Sequence, residues 1–270
     1  MAYHRPFLKW AGNKFQCLAH ILPHFPQKKR LIEPFAGSAA ITLNTDFKQY
    51  WLSERNADLV ALFHHIQQEG QDFINLCKSL FIPQNNNKDF YLKTRDKFNH
   101  TQDPRTRAQL FLFLNRHGYN GLCRYNLKGG YNVPFGHYIK PYFPEKELLA
   151  FYEKSKKHTI KLTHLDFKDC MLQATKNDLI YCDPPYVPLS PSSSFTNYTG
   201  HGFNEHKQIE LRDLAEKISA RGATIIISNH DTPYTRELYK NAKILSFDAK
   251  RLINCKAELR RPVKEIIAIW

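Results

Sequence analysis

Short runs of apolar residues, each ending in a polar or turn-forming cluster, punctuate the chain. They occur as LIEPFAG at 31–37, YWLSERN at 50–56, TIKLTHLDF at 159–167, DLIYCDPPY at 178–186, ATIIISNHD at 223–231 and EIIAIW at 265–270. Runs of this length, bounded by Pro, Gly, Asn and Asp, predict sheet strands. Between them, 57–69, 72–80, 106–115 and 205–220 read as helices. That alternation predicts an α/β chain with a mostly parallel sheet covered on both faces. The pattern breaks at 85–145, which is polar, Asn-rich and aromatic-rich. This stretch is expected to be an inserted smaller region, with 1–84 and 146–270 forming the main domain.

In an open α/β sheet, ligands bind outside the carboxyl ends of the strands, so the strand ends point to a site. EPFAG closes the first strand on Gly37 and is expected to open a helix at Ser38, which turns backbone amides toward a ligand. Alone this turn is a weak signal, because it is not the G-x-G-x-x-G fingerprint. Glu54 ends the next strand, about 17 residues after Gly37, where a carboxylate can grip the vicinal hydroxyls of a ribose. No phosphate-binding lysine motif follows the turn, so the pair suits an adenosine-containing ligand without a diphosphate.

DPPY at 183–186 follows the fourth of these runs. Two prolines fix two φ angles and remove two backbone donors, so the strand ends in a rigid extended turn. A carboxylate and a proline carbonyl held side by side match the two N–H donors of an exocyclic amino group. Tyr186 adds a face on which a base can stack. The amino nitrogen of adenine is a poor nucleophile because its lone pair is conjugated into the ring. An enzyme must therefore hold both hydrogens and aim the lone pair, and positioning of this kind contributes about 7–11 kcal/mol at best.

Composition narrows the partner. The 270 residues are 42% hydrophobic, enough for a sizeable core, and 39 Lys and Arg against 25 Asp and Glu give a net charge of +14. The balance favours a polyanion or an anionic membrane surface, and no amphipathic basic helix supports the membrane. The six cysteines form no C-x-x-C pair and no regular spacing, so neither a zinc site nor a disulfide framework is indicated. The N-terminus carries no apolar signal core, and no run of about 18 apolar residues occurs. A cytoplasmic protein with reduced thiols, no metal and no membrane partner is expected.

These motifs occur in an order that resembles the Dam family of DNA adenine methyltransferases: FLKWAGNK (7–14), EPFAGSAAITLN (33–44), LSERN (52–56), LFLNRHGYNGLCRYNLKGGYNVPFGHYIKPYF (112–143), LDF (165–167), DPPY (183–186) and ISNHDT (227–232). The resemblance implies a Rossmann-like methyltransferase sheet with an inserted helical and hairpin region, and S-adenosylmethionine as methyl donor. It implies Trp10, Lys14, Gly37, Glu54, Phe167 and Asp183 as cofactor-binding residues. Asp183, Pro184 and Tyr186 become the catalytic set, with Tyr186 stacked on a flipped adenine. Lys9, Tyr119, Asn120, Leu122, Arg124, Pro134 and Tyr138 match positions that read or fill a G-A-T-C site in double-stranded DNA. The sequence departs from the family at Glu54, commonly Asp, and at His137, where an arginine would be a stronger phosphate ligand.

The 112–143 segment also reads as DNA recognition on its own residues. Gly129-Gly130 lies between two short potential strands, a hairpin signal, and a two-stranded ribbon fits the major groove. Arg124 can pair with guanine N7 and O6, and Tyr119 can wedge where a base has left the helix. The basic stretch KRLINCKAELRRP at 250–262 is either a phosphate contact or a solvated charge run. Methyl transfer is expected to run directly from sulfonium to N6, by a nucleoid-associated monomer. N4-cytosine methylation and a catalytically silent DNA-binding protein are the alternatives. An RNA or protein-glutamine methyltransferase is disfavoured because those usually show Asn at the position of Asp183.

Overall fold

The computed structural model describes residues 3–187, 203–249 and 263–270, so the basic stretch at 250–262 lies outside the described residues. The chain divides into two compact units. The first comprises 1–15, 37–44 and 56–164; the second comprises 16–36, 45–55 and 165–270. In chain order the elements are α1 (Leu18–Ile21), β1 (Arg30–Glu33), α2 (Ala40–Leu43), β2 (Gln49–Ser53), α3 (Ala57–Glu69), α4 (Gln71–Lys78), α5 (Lys88–His100), α6 (Pro104–His117) and α7 (Glu145–Lys157). They continue as β3 (Thr159–Thr163), α8 (Phe167–Met171), β4 (Asp178–Cys182), α9 (Glu205–Ser219), β5 (Thr224–His230), α10 (Pro233–Leu238), β6 (Lys243–Ala249) and β7 (Val263–Ile269).

Seven strands occur among the described residues, in a mixed α/β architecture of the Rossmann-like methyltransferase kind. Six of them belong to the second unit, in the order β2-β1-β4-β5-β7-β6. Strands β2, β1, β4 and β5 run parallel, and β7 is antiparallel to both β5 and β6. All five residues of β4 are buried, as a central parallel strand requires when both faces are covered. Its side chains alternate between two cores. Ile180 and Cys182 join Phe167, Met171, Leu211, Ala215 and Ile218 of α8 and α9. On the other face, Tyr181 meets Phe25 at 5.7 Å between ring centroids, and Phe25 leads on to Phe47 and Tyr50.

The six expected strands form, the first five shorter than their apolar runs and β7 starting two residues before its own, and β6 is an addition. Its sequence, KILSFDA, buries only Ala249 fully. It is an edge strand with polar residues interleaved, so it presents no continuous apolar run. The helix expected at Ser38 is a four-residue segment that begins at Ala40, after Ala39 takes a left-handed conformation (φ 56°).

The first unit combines α2 to α7 and β3 with a non-helical stretch at 122–144. Side chains cap three of its helices: Asn56 accepts from Leu59 N at the start of α3, Asn87 from Phe90 N for α5, and Asp103 from Thr106 N for α6. Helix α5 lies inside the stretch whose apolar pattern breaks. It buries Tyr91, Thr94 and Phe98, spaced i, i+3, i+7 on one helical face.

Candidate active site

In the second unit the parallel strands bring the ends of β1, β2 and β4 to one edge of the sheet. β1 lies between β2 and β4, which makes it the topological switch point where ligands of such sheets sit. Residues following these strands include Phe35, Glu54 and Asp183. Ser53, buried at the end of β2, exchanges hydrogen bonds with Leu165: its hydroxyl donates to Leu165 O (3.2 Å) and lies 3.3 Å from Leu165 N. That link draws the loop before α8 against the Glu54 turn. A salt bridge between Arg55 and Asp166 (3.5 Å) crosses the same loop, and Asp166 caps α8. Phe167 is then packed under Phe35 (5.4 Å, stacked) and Phe203 (5.6 Å), with the Lys207 ammonium 5.4 Å from its ring centroid. Phe167 therefore forms a wall, while Phe35 and Phe203 are half-buried.

DPPY is held by partners distant in sequence. Asp183 Oδ1 accepts from Ser228 Oγ at 3.0 Å. Ser228 is also 3.0 Å from the Tyr181 hydroxyl. A carboxylate can only accept, so the serine hydrogen serves Asp183 and the tyrosine donates to the serine. Gln208, buried on α9, donates from Nε2 to Pro185 O at 2.8 Å. Its Oε1 accepts from Asn229 Nδ2 (3.2 Å) and lies 3.4 Å from the Tyr239 hydroxyl, while Asn229 Oδ1 accepts from Val187 N (3.3 Å). The turn is thereby fixed at Asp183, Pro185 and Val187 by a buried polar network, which sharpens geometry when every member is satisfied. Pro184 is buried. Tyr186 donates to Glu265 Oε2 at 3.0 Å and stands edge-on to His230 at 4.8 Å. Burial, then the charges of Asp183 and Glu265, push its phenol well above the usual range, so it stays protonated.

In the first unit, Trp10 lies against Gly37: a Cβ on Gly37 would sit 3.0 Å from the indole, and φ is +47° there, so a side chain is excluded twice over. Lys14 is buried and its ammonium donates to Gly12 O at 2.8 Å. Lys9 is clamped by Asn115, which accepts from its N–H (3.0 Å) and donates to its carbonyl (2.7 Å). The Lys9 ammonium rests 3.7 Å from the Tyr138 ring centroid. Burial, with the charge of Arg116 adding to it, brings Lys9 down to about 8. His117, lowered to about 4 chiefly by burial, is neutral at pH 7.

The expected hairpin doubles back on itself through two isolated antiparallel bridges, Tyr125 with Tyr131 and Gly118 with Phe135, rather than as a continuous ribbon. Asn126 organises it: its side-chain oxygen accepts from Lys128 N and Gly130 N, both 2.9 Å. Arg124 donates from Nε to Asn132 Oδ1 at 2.7 Å and from NH2 to Asn132 O at 3.2 Å. Tyr119, Asn120 and Pro134 are exposed, and Leu122 and Tyr138 are half-buried. Asn120 adopts a left-handed conformation (φ 52°), followed by Gly121 at +63°, where a Cβ would fall 2.2 Å from Lys9 Cβ. Tyr119 N donates to Pro134 O (2.8 Å), tying two of the expected recognition positions together.

Several supporting residues carry no sequence motif. Tyr91, Arg95 and Asn99 of α5 reach carbonyls of the recognition segment: Tyr91 and Arg95 donate to Val133 O (2.9 and 3.0 Å), and Asn99 to Tyr131 O (3.1 Å). Asn86 donates to Tyr138 O (2.8 Å). Ser228 and Asn229 lie in ISNHDT, whereas Gln208 had only its place on a helix to mark it. No cluster of potential metal ligands occurs among the described residues, and no described helix is long and apolar enough to cross a membrane.

Residues 10–253 match the profile of the D12 class N6 adenine-specific DNA methyltransferases. A DNA adenine methylase of Vibrio cholerae serotype O1 (strain O395) is 44% identical over 271 residues, covering 100% of this chain and 97% of the relative. The DNA adenine methylase of Escherichia coli K12 is 43% identical, covering 100% and 96%. That of Serratia marcescens is 43% identical, covering the whole of both chains.

Proposed function

From its membership of the D12 class of N6 adenine-specific DNA methyltransferases, we propose that this chain methylates the adenine of G-A-T-C sites in double-stranded DNA, flipping the base from the helix. The chain is an adenine-specific DNA methyltransferase, and the family implies S-adenosylmethionine as the methyl donor. The observation that carries the finer reading is the fixed DPPY turn, with Asp183 anchored by Ser228 and the Pro185 carbonyl engaged by Gln208.

In this reading Asp183 and the Pro184 carbonyl accept the two N6 hydrogens, which directs the nitrogen lone pair out of the ring plane. Tyr186, its hydroxyl fixed on Glu265, presents its ring to the flipped base. The donor supplies an electrophilic methyl group on a sulfonium. Trp10, Lys14, Gly37, Glu54, Phe167 and Asp183 hold it. The fit is supported by the hydrogen bond that draws the loop before α8 to Ser53, the residue before Glu54, and by the half-buried Phe35 stacked on Phe167, an aromatic surface that suits an adenine. Once the nitrogen has gained the methyl group, an N6 hydrogen must leave, and Asp183 is the acceptor nearest to it in this scheme.

Residues 85–145 form the target-recognition region, and 1–84 with 146–270 the catalytic one. Lys9, Tyr119, Asn120, Leu122, Arg124, Pro134 and Tyr138 read or fill the site, and the net charge of +14 draws the enzyme to the phosphate backbone. One active centre suffices for one flipped base, so the enzyme works as a monomer, at the nucleoid in the cytoplasm. The test uses tritiated S-adenosylmethionine and two duplexes that differ only in the presence of G-A-T-C, digested to nucleosides. Label in N6-methyladenosine from the G-A-T-C duplex alone is expected. Equal label from both duplexes removes the site, and label in N4-methylcytosine removes the target base.

A further inference from the structure

Arg124 and Tyr125 are neighbours in the extended arm of the recognition turn, so their side chains leave opposite faces of the backbone. Tyr125 points inward. Its hydroxyl donates to Asp58 Oδ2 at 2.6 Å, and its ring meets Tyr131 edge-on at 5.6 Å. Asp58 is only 8% exposed, in the first turn of α3. Arg107 of α6 grips the same carboxylate with Nε and with NH2 (3.2 Å), donates from NH1 to Phe98 O (2.8 Å), and lies over the Phe98 ring. Asn56, the cap of α3, reaches the Tyr125 hydroxyl (3.5 Å) and Cys123 Sγ (3.4 Å).

The inner end of the turn is thus bolted to a charged pair that bridges α3 and α6. Tyr131, the other member of the bridge pair, is fully buried; it donates to Leu122 O (3.0 Å) and is held through its backbone by Asn99. With Tyr125 fixed inward, Arg124 must face outward. Asn132 then takes Nε and one NH2 hydrogen, leaving three of the five guanidinium donors for a ligand.

We propose that Tyr125 and Asp58 are positioning residues for target discrimination: they touch no base, and they set the direction in which Arg124 presents its donors. The proposal rests on the reading of Arg124 as a base-reading residue. A bidentate arginine contact tolerates little rotation, because both donors must meet two acceptors on one base edge. Loosening the inner bolt frees the arm to swing, and the correct base loses its advantage while phosphate attraction persists.

The experiment compares kcat/KM on a G-A-T-C duplex with kcat/KM on duplexes in which one of the four base pairs is replaced. Misfolded enzyme lowers all of these rates alike, so their ratio does not respond to a loss of fold. Arg124→Ala identifies the base pair whose ratio collapses. Tyr125→Phe, which keeps the ring and removes the hydroxyl, is expected to lower the ratio at that same pair by about tenfold, the lower part of what one such contact contributes. The double variant is expected to fall no further than Arg124→Ala alone. An unchanged ratio in Tyr125→Phe, with Arg124→Ala collapsed, overturns the positioning role and leaves Arg124 as the reader. A double variant that falls further overturns it too, since Tyr125 would then act by another route. An unchanged ratio in Arg124→Ala overturns the readout itself and the proposal with it.

Discussion

Replacing Gln208 by Leu keeps most of the side-chain volume and deletes three polar contacts: to Pro185 O, Asn229 Nδ2 and the Tyr239 hydroxyl. Pro185 is exposed, so water can take over its carbonyl. Asn229 and Tyr239 are fully buried; Asn229 still donates to the Tyr239 hydroxyl (3.1 Å), but each loses the acceptor it had in Gln208. A buried donor that loses its acceptor costs about 1–3 kcal/mol, and because the two groups keep each other as partners the total loss is expected to stay within about that range. Urea unfolding measures that loss. The functional effect is separate, because releasing Pro185 lets Asp183 and the Pro184 carbonyl shift against the amino group. A displacement near 1 Å costs about a hundredfold in rate. Single-turnover methyl transfer at saturating donor and duplex, at a temperature where the variant remains folded, should show that fall. A stability loss of the expected size with a rate within a few-fold of the parent would refute the claim that this network aims the acceptors. No loss in either would refute the account of the network itself.

Asp183→Ala should abolish methyl transfer and leave the far-ultraviolet circular dichroism unchanged, since it removes an acceptor rather than packing; retained activity would sink the mechanism. Arg30→Met leaves Asp178, which is 2% exposed, as a buried charge without its bidentate partner, and should cost about 3–5 kcal/mol in urea unfolding. Burial alone would raise the Asp178 carboxyl, but hydrogen bonds from Arg30 and Thr175 outweigh it and hold it below the usual range. The parent should therefore keep this stability above the ordinary carboxylate range and lose it as pH falls through the lowered value, a slope that Arg30→Met should flatten. Lys9 titrates near 8 in the folded chain against 10.5 unfolded. Over that window the unfolded chain binds the extra proton, so folding stability should rise with pH, while affinity for a duplex should fall as the cation is lost. A binding titration from pH 7 to 9 checks this; affinity flat through pH 8 would remove the Lys9 charge from the interface.

The inner strands were legible because a strand buried on both faces must be apolar along its whole length, and DLIYC and TIIIS meet that condition locally. DPPY was legible for a similar reason, since two prolines restrict the backbone wherever they occur. Other features are invisible to local pattern. Strand β6 is half-polar because it is an edge, and α5 hides Tyr91, Thr94 and Phe98 among charges. Arg124 is expected from sequence to read a base, yet the carboxylate that fixes its neighbour Tyr125, Asp58, lies 67 residues earlier in the chain.

What the sequence determined by itself is the family, with its adenine methylation, and the residue types on offer: a carboxylate and a tyrosine around two prolines, a carboxylate at a strand end, and a net charge of +14. These follow from residue type and short-range spacing, and so survive without coordinates. Only the tertiary structure decided which groups hold them in place. Ser228 holds Asp183 from 45 residues away, Gln208 holds Pro185 from 23, and Asn115 holds Lys9 from 106. Each is a polar side chain of a common type, and only burial beside a distant backbone or carboxylate turns an ordinary serine or amide into a fixed support.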